Sequence, residues 1–216
     1  MKILAVETST SICSVALLEK DHILSELNLE AQKRHSELLL PMIDHVLTSC
    51  DLSLSDVDYF AVGVGPGSFT GIRIALSTIK AFSNTFSKKM IGISTLKAMS
   101  GMALFYRGVI CPILEAGQGE FYTAIFKWKK TGALDPYLNE SLLSVEKLVS
   151  IIHGMSEKWS FPILLIGNAQ VEQKLKPYFS EERFVWSSPL FSFPRASSVG
   201  LLALDLIEKK GGDAPQ

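Results

Sequence analysis

Histidine is scarce, and its spacing offers no metal chemistry. The four are His22, His35, His45 and His153, and no two stand at the i, i+4 interval that places imidazoles on one helix face. Cysteine is scarcer still. Cys13, Cys50 and Cys111 lie far apart in apolar surroundings, a pattern of buried thiols in a reducing compartment that argues against a disulfide framework or a zinc site. Charge of one sign is also missing: 21 Lys plus Arg against 22 Asp plus Glu give a formal net charge of −1. A stand-alone nucleic-acid binder normally carries a strong basic excess. The short basic clusters Lys88-Lys89, Lys127 to Lys130 and Lys209-Lys210 read as solvated turns. Long apolar runs are absent, none approaching the ~20 residues that cross a bilayer. Met1-Lys-Ile-Leu-Ala-Val6 reaches Glu7 too soon for the apolar region of a signal peptide. The expectation is a cytoplasmic protein without membrane contact.

What is present is core-forming material. The chain has 216 residues, 47% hydrophobic and 20% charged, enough for two small α/β domains or one large one and too apolar for global disorder. Lys2 to Val6 reads as a buried strand, Ile12 to Glu19 as its hairpin partner and Ile23 to Leu29 as a third strand. Three antiparallel strands followed by helices and further strands suit the ribonuclease-H-like half-molecule, an α/β layer architecture. Arg34 to Cys50 has helical spacing with Leu39, Ile43, Val46 and Cys50 on one stripe. Pro41 should bend that helix unless the helix begins there. Phe69 to Phe86 is a second helix with Ile72, Leu76, Ile79 and Phe86 on its core stripe. Beyond Ser100 the pattern restarts: strands at Val109 to Leu114, Phe121 to Trp128 and Phe161 to Ile166. Helices follow from Val145 (capped by Ser144), after Asn168, and from Ser197 to Lys210, the last closed by Gly211-Gly212. Two successive sets suggest two related halves.

The segment from Asp58 to Arg73 carries the strongest local signal. A β-rich run, Tyr59 to Val64, is cut by Gly65-Pro66-Gly67, and Ser68 and Thr70 open a helix. Strand, turn and helix aim backbone N–H groups and a positive dipole end at one spot, a common phosphate-holding arrangement. Its chemical equipment is missing. No Lys stands where a Walker loop needs one, and Ser68 sits where the dinucleotide fingerprint, counted from Gly63, needs its third glycine. The hydroxyl loop Glu7, Thr8, Ser9, Thr10 follows the first strand, where the kinase–actin–chaperone superfamily keeps its first phosphate loop. Glu7 could hold Mg²⁺ there, but no glycine follows to let phosphate approach; a structural turn is the equal alternative. Arg73 either bridges loop carbonyls or meets an anion, structure being preferred. Ser68 lacks the nucleophile-elbow pattern. Glu115 and Glu120 flank a strand turn and are either paired carboxylates or solvated ones. His35 and His45 read as surface or interface residues of the first long helix.

Both long helices carry more apolar or small surface than one core stripe needs. Leu38 and Met42 lie off the first helix's stripe, beside His35 and His45. Ile74, Ser77, Thr78 and Ala81 form a face of mainly small residues on the second, suited to close approach of another helix. The reading is a partner-binding face; the alternative is that the sheet wraps both sides.

Three stretches, Ile3-Leu-Ala-Val-Glu-Thr-Ser-Thr10, Arg34-His-Ser-Glu-Leu-Leu-Leu-Pro-Met-Ile-Asp44 and Gly65-Pro-Gly-Ser-Phe-Thr-Gly-Ile-Arg73, together closely resemble the bacterial TsaB (YeaZ) family. The likeness is strong over the N-terminal half and loose beyond, through Glu120-Phe-Tyr122 and Pro194-Arg-Ala196. Glu115-Ala-Gly117 departs from the family's usual Asp-Ala-Arg. The resemblance implies two ribonuclease-H-like subdomains of the actin, Hsp70 and sugar-kinase (ASKHA) type with mixed sheets. They would cover residues 1–104 and 105–216, with the last helix packing back on the first. Family members look like degenerate relatives of TsaD, the catalytic subunit that installs N6-threonylcarbamoyl on adenosine beside the anticodon of tRNAs reading ANN codons. In TsaD two histidines four residues apart, just after the counterpart of Ile91-Gly-Ile93, bind the catalytic metal; the resemblance sets those places on Thr95 and Met99. It therefore implies a pseudoenzyme scaffold pairing with a TsaD-like subunit. A TsaE-like ATPase would join the complex, with tRNA reached indirectly and a homodimer when the partner is absent. Neither cofactor nor metal is expected in the isolated chain, ATP and a metal ion coming through the partners. An autonomous ASKHA-type kinase or a peptidase is the alternative.

Overall fold

The computed structural model describes residues 1–104, 106–129, 132–157, 159 and 161–209. The chain forms two compact units, one made of residues 1–98 together with residues 194–209, the other of Met99–Phe193. In the first unit a five-stranded sheet contains β1 (Lys2–Glu7), β2 (Ile12–Glu19), β3 (His22–Glu30), β4 (Tyr59–Gly63) and β5 (Lys89–Ile93), in the order β3-β2-β1-β4-β5. β1 pairs antiparallel with β2 and parallel with β4, with Ala5 opposite both Ala16 and Ala61. Ile3, Leu4, Ala5 and Val6 have no solvent exposure because β1 is central and covered on both faces. Such strands read as unbroken apolar runs.

Alternation then sorts the side chains. Leu4 and Val6 join Leu17, Phe60 and Val62 in a core beneath α1 (His35–Thr48) and α2 (Phe69–Phe86). Ile3 and Ala5 point the other way, into a core with Ala16, Leu18, Ile91 and the apolar stripe of α6 (Ala196–Lys209). Gly200 lets α6 come close, since a Cβ there would overlap Leu18. The start of α6 is held from across the sheet: Ser14 Oγ accepts from the Ala196 N–H at 2.8 Å and donates to Asn28 Oδ1 at 2.6 Å. Glu26 accepts from the Ser197 N–H and pairs with Arg195. Lys210 and the expected closing glycines Gly211-Gly212 lie outside the described residues.

The second unit repeats the strand order. β6 (Val109–Gly117), β7 (Glu120–Trp128), β8 (Leu134–Ser144), β9 (Ile163–Ile166) and β10 (Phe184–Trp186) run β10-β9-β6-β7-β8, the first three antiparallel and β9 and β10 added in parallel. α4 (Val145–Ser156) and α5 (Ala169–Leu175) pack on its core, capped by Ser144 and Asn168. Each sheet is the mixed sheet of a ribonuclease-H-like α/β subdomain. Among the described residues, no helix is long and apolar enough to cross a membrane.

Several elements differ from the sequence reading. α1 runs from His35 through Pro41 to Thr48, so the helix read over Arg34 to Cys50 is shorter at its end and does not begin at the proline. The i−4 carbonyl that Pro41 leaves without an N–H belongs to Glu37, an exposed residue, so the lost bond costs little at the helix surface. Cys50 falls beyond the helix. The core stripe of α2 is Gly71, Ala75 and Ile79, with Ile72, Leu76 and Phe86 only half-buried. Counting bulky residues misplaced it, because the face nearest the sheet must be small. β5, α3 (Thr95–Gly101), β8 and β10 were not anticipated. β5, β8 and β10 are an inner-alternation-poor group at or near sheet edges, and β8 tolerates Pro136 for that reason.

Candidate functional site

Two features of the first unit occupy the places the sequence singled out. The first is the junction between the loop after β1 and the loop before α2. Glu7, the last residue of β1, has no exposure. Its Oε1 accepts the Ser9 N–H at 2.6 Å, and its Oε2 lies 3.2 Å from Thr95 Oγ1, which is itself 3.0 Å from Ser9 Oγ. Thr95 also donates its N–H to the Gly65 carbonyl at 2.9 Å, tying the start of α3 to the loop. Burial pushes the Glu7 carboxyl above its ordinary value of 4.5, against the opposing hydrogen bonds from Ser9, Thr95 and the Thr8 backbone.

The glycines make this closure possible. A Cβ on Gly63 would overlap the Glu7 carboxylate, one on Gly67 the Ser9 carbonyl, and one on Gly71 the Thr8 carbonyl. Gly65 and Gly67 adopt φ of +93° and +152°, a region that only glycine enters without strain. Ser68 caps α2 by accepting the Gly71 N–H at 3.2 Å and donates its own N–H to the Ser9 carbonyl at 2.7 Å. The Thr8 hydroxyl donates to the Gly71 carbonyl at 2.8 Å, and Thr10 Oγ1 accepts the Ile12 N–H at 3.3 Å. Glu7, Thr8, Ser9, Gly65, Gly67 and Ser68 are thus brought together, but against one another. A Mg²⁺-bound phosphate does not fit these residues. The carboxylate is sealed, and a phosphate would have to part backbone already hydrogen-bonded across the junction. Arg73 is elsewhere: its guanidinium lies 5.2 Å from the Phe69 ring centroid.

The second feature is a groove of about 450 Å³ between α1 and α2, lined by Ser36, Leu39 and Leu40 on one side and Phe69, Thr70, Arg73, Ile74, Ser77 and Thr78 on the other. Phe69 is 73% exposed and Leu40 53%, large apolar surfaces left in water. Ile74, Ser77 and Thr78, which the sequence set on one face of the second helix, line this groove. Ala81 and His45 are exposed but do not line the groove. Two residues are corrected: Met42 is 2% exposed and belongs to the core, and His35 is 6% exposed, with Nε2 unpartnered. Leu38 is half-buried against the same core. The stripe argument failed because α1 turns a wider face inward than one stripe. The residues it missed, Leu40 and Phe69, had a signal. Leu38-Leu39-Leu40 cannot all face one side of a helix, and Phe69 directly follows the cap, ahead of any inward stripe.

In the second unit Glu115 faces Lys174, 2.5 Å away, instead of pairing with Glu120, which closes the β6–β7 turn opposite Gly117.

The family model described as TsaD, tRNA N6-adenosine threonylcarbamoyltransferase, matches residues 28–180. The tRNA threonylcarbamoyladenosine biosynthesis protein TsaB of Bacillus subtilis is 26% identical over 99% of this chain and 90% of its own. The Escherichia coli protein of the same name is 32% identical over 74% of this chain and 69% of its own. Among solved structures, a protein from Pseudomonas aeruginosa described as similar to peptidase YEAZ superposes with a TM-score of 0.78 at 25% identity, covering 98% of this chain and 93% of that one.

Proposed function

The chain belongs to the TsaB family of tRNA threonylcarbamoyladenosine biosynthesis proteins, and we propose that within this biosynthesis it is a non-catalytic subunit that pairs with a TsaD-like catalytic partner. The observation that carries the reading is the state of Thr95. The family resemblance sets it and Met99 where TsaD holds its metal with two histidines. Both are fully buried, and the Thr95 hydroxyl is spent on Glu7 and Ser9. A hydroxyl and a thioether do not replace imidazoles at a hard catalytic metal.

The α1–α2 groove supports the pairing. Its exposed Leu40 and Phe69 beside small Ser77 and Thr78 suit a helix pair of the partner, which would complete a four-helix contact. Without the partner the same patch would serve a second copy of the chain. ATP, metal and tRNA are then handled by the TsaD-like subunit and a TsaE-like ATPase.

Reconstitution tests this. With threonylcarbamoyl-adenylate and tRNA, sustained modification is expected only when the chain and a TsaD-like subunit are both present with the TsaE-like ATPase. The chain by itself should turn over neither ATP, nor the adenylate, nor peptides. Turnover by the chain alone would establish the kinase or peptidase alternative.

A further inference from the structure

We propose that Arg73 selects the occupant of the α1–α2 groove by charge, and that the partner helix seated there carries an Asp or Glu to meet it. The inference rests on the groove being the docking face for a TsaD-like subunit, and adds the chemistry of the surface that docks. Of the residues lining the groove, Arg73 is the charged one. Its guanidinium lies over the exposed Phe69 ring, 5.2 Å from the centroid, so one face of the plane is covered. A stacked guanidinium still presents its N–H donors at the edge of that plane. Among the described residues no carboxylate makes an ion pair with Arg73. The exposed acids of α1, Glu37 and Asp44, do not line the groove.

The backbone adds charge of the same sign. Ser36 belongs to the first turn of α1, and Phe69 and Thr70 to the first turn of α2, so the groove opens on the positive ends of both helix dipoles. The first turn of α2 holds no acidic residue to offset its own. A positive groove walled by Leu39, Leu40 and Ile74 fits an apolar helix face that includes a carboxylate, which the arginine fork can take bidentately. A second copy of the chain fits it less well. An isologous contact sets the same patch against itself, Arg73 included, and like charges across an interface select against that partner. A phosphate would also pair with the guanidinium, but a polyanion is held by several cations, and no second cation lines the groove.

The test uses the full chain and a TsaD-like subunit, with affinity measured by titration calorimetry across a salt series. Arg73 is exposed, so its variants should keep the native thermal midpoint. Native binding is expected to weaken as salt rises. Arg73→Gln should lower the affinity by about tenfold and flatten the salt dependence, and Arg73→Glu should lower it by about a hundredfold. Arg73→Lys, which keeps the charge and gives up the fork, should fall between the native chain and Arg73→Gln. Self-association of Arg73→Gln, read by sedimentation, should equal or exceed that of the native chain. If Leu40→Ala and Phe69→Ala weaken partner binding while Arg73→Glu does not, the groove still docks the partner and the acidic-helix inference is wrong. If none of the three weakens it, the docking reading itself has failed, and the inference with it. Self-association lost in parallel with partner binding would assign Arg73 to a contact between copies. Native partner affinity in Arg73→Glu, with loss of tRNA retention by the assembled complex, would assign it to phosphate; either result overturns the inference.

Discussion

At the scale of single residues, the three cysteines show how far flanking sequence predicts environment. Cys13 and Cys111 sit inside strands β2 and β6 and have no exposure, whereas Cys50 follows the end of α1 and is half-buried. Burial drives the Cys111 thiol up to about 12, despite its contact with Thr123 Oγ1 at 3.3 Å, and the Cys13 thiol up to about 11. Only thiolates react, so at about pH 8 both buried groups should be inert. A disulfide reagent should therefore titrate one thiol in the native protein, at Cys50, and all three in denaturant. Rapid native reaction of Cys13 or Cys111, located by peptide mapping, would contradict the strand packing. Glu7 follows the opposite logic. The sequence offered it as a cation ligand, and nothing local could reveal that Thr95, 88 positions away in sequence, would meet it.

At the scale of elements, α1 and α2 divide their residues between core and groove, and substitutions should separate the two roles. Met42 is sealed beneath α1, so Met42→Ala should lower unfolding free energy by about 2–5 kcal/mol, read from the denaturation midpoint. Leu40→Ala and Phe69→Ala remove exposed side chains and should scarcely move the thermal midpoint. If the groove docks a TsaD-like subunit, each should weaken that binding by roughly tenfold or more, as apolar anchors at an interface centre do. Undiminished binding by both folded variants would place the partner elsewhere. The extent of α2, Phe69–Phe86, was legible because Ser68 caps it and its apolar period is strong. Its inward face was not, because Gly71 and Ala75 carry almost no hydrophobic signal; contact with the sheet demands their smallness. β8 was missed for a related reason: lying at an edge, it keeps mixed polarity along eleven residues.

At the scale of the whole molecule, a formal net charge of −1 sets what the chain can hold unaided. Phosphate contacts by Lys and Arg supply most non-specific affinity for nucleic acid. The isolated chain should thus bind tRNA weakly and lose that binding at physiological salt, while depletion of the protein lowers threonylcarbamoyladenosine in tRNA. Filter binding across a salt series and nucleoside analysis after depletion check the two clauses. Tight, salt-resistant tRNA binding by this chain would contradict the first, and unchanged modification after complete depletion the second.

The sequence by itself determined the strands around the N-terminal hairpin, the extent of α2, the presence of α1, the caps Ser144 and Asn168, and the family likeness. These features rest on short-range periodicity and on side chains that bond their own backbone neighbours. Tertiary structure alone decided that both units share one strand order, since pairing partners lie far apart in sequence. It also supplied the contacts that seat α6 on the first sheet, its starting N–H groups finding Ser14 and Glu26 there. Most consequentially, it turned a loop with the outline of a phosphate site into a closed junction. Glycine permits that closure wherever opposing backbone comes near enough, and which backbone comes near is settled only when β1, β4 and α2 are packed together.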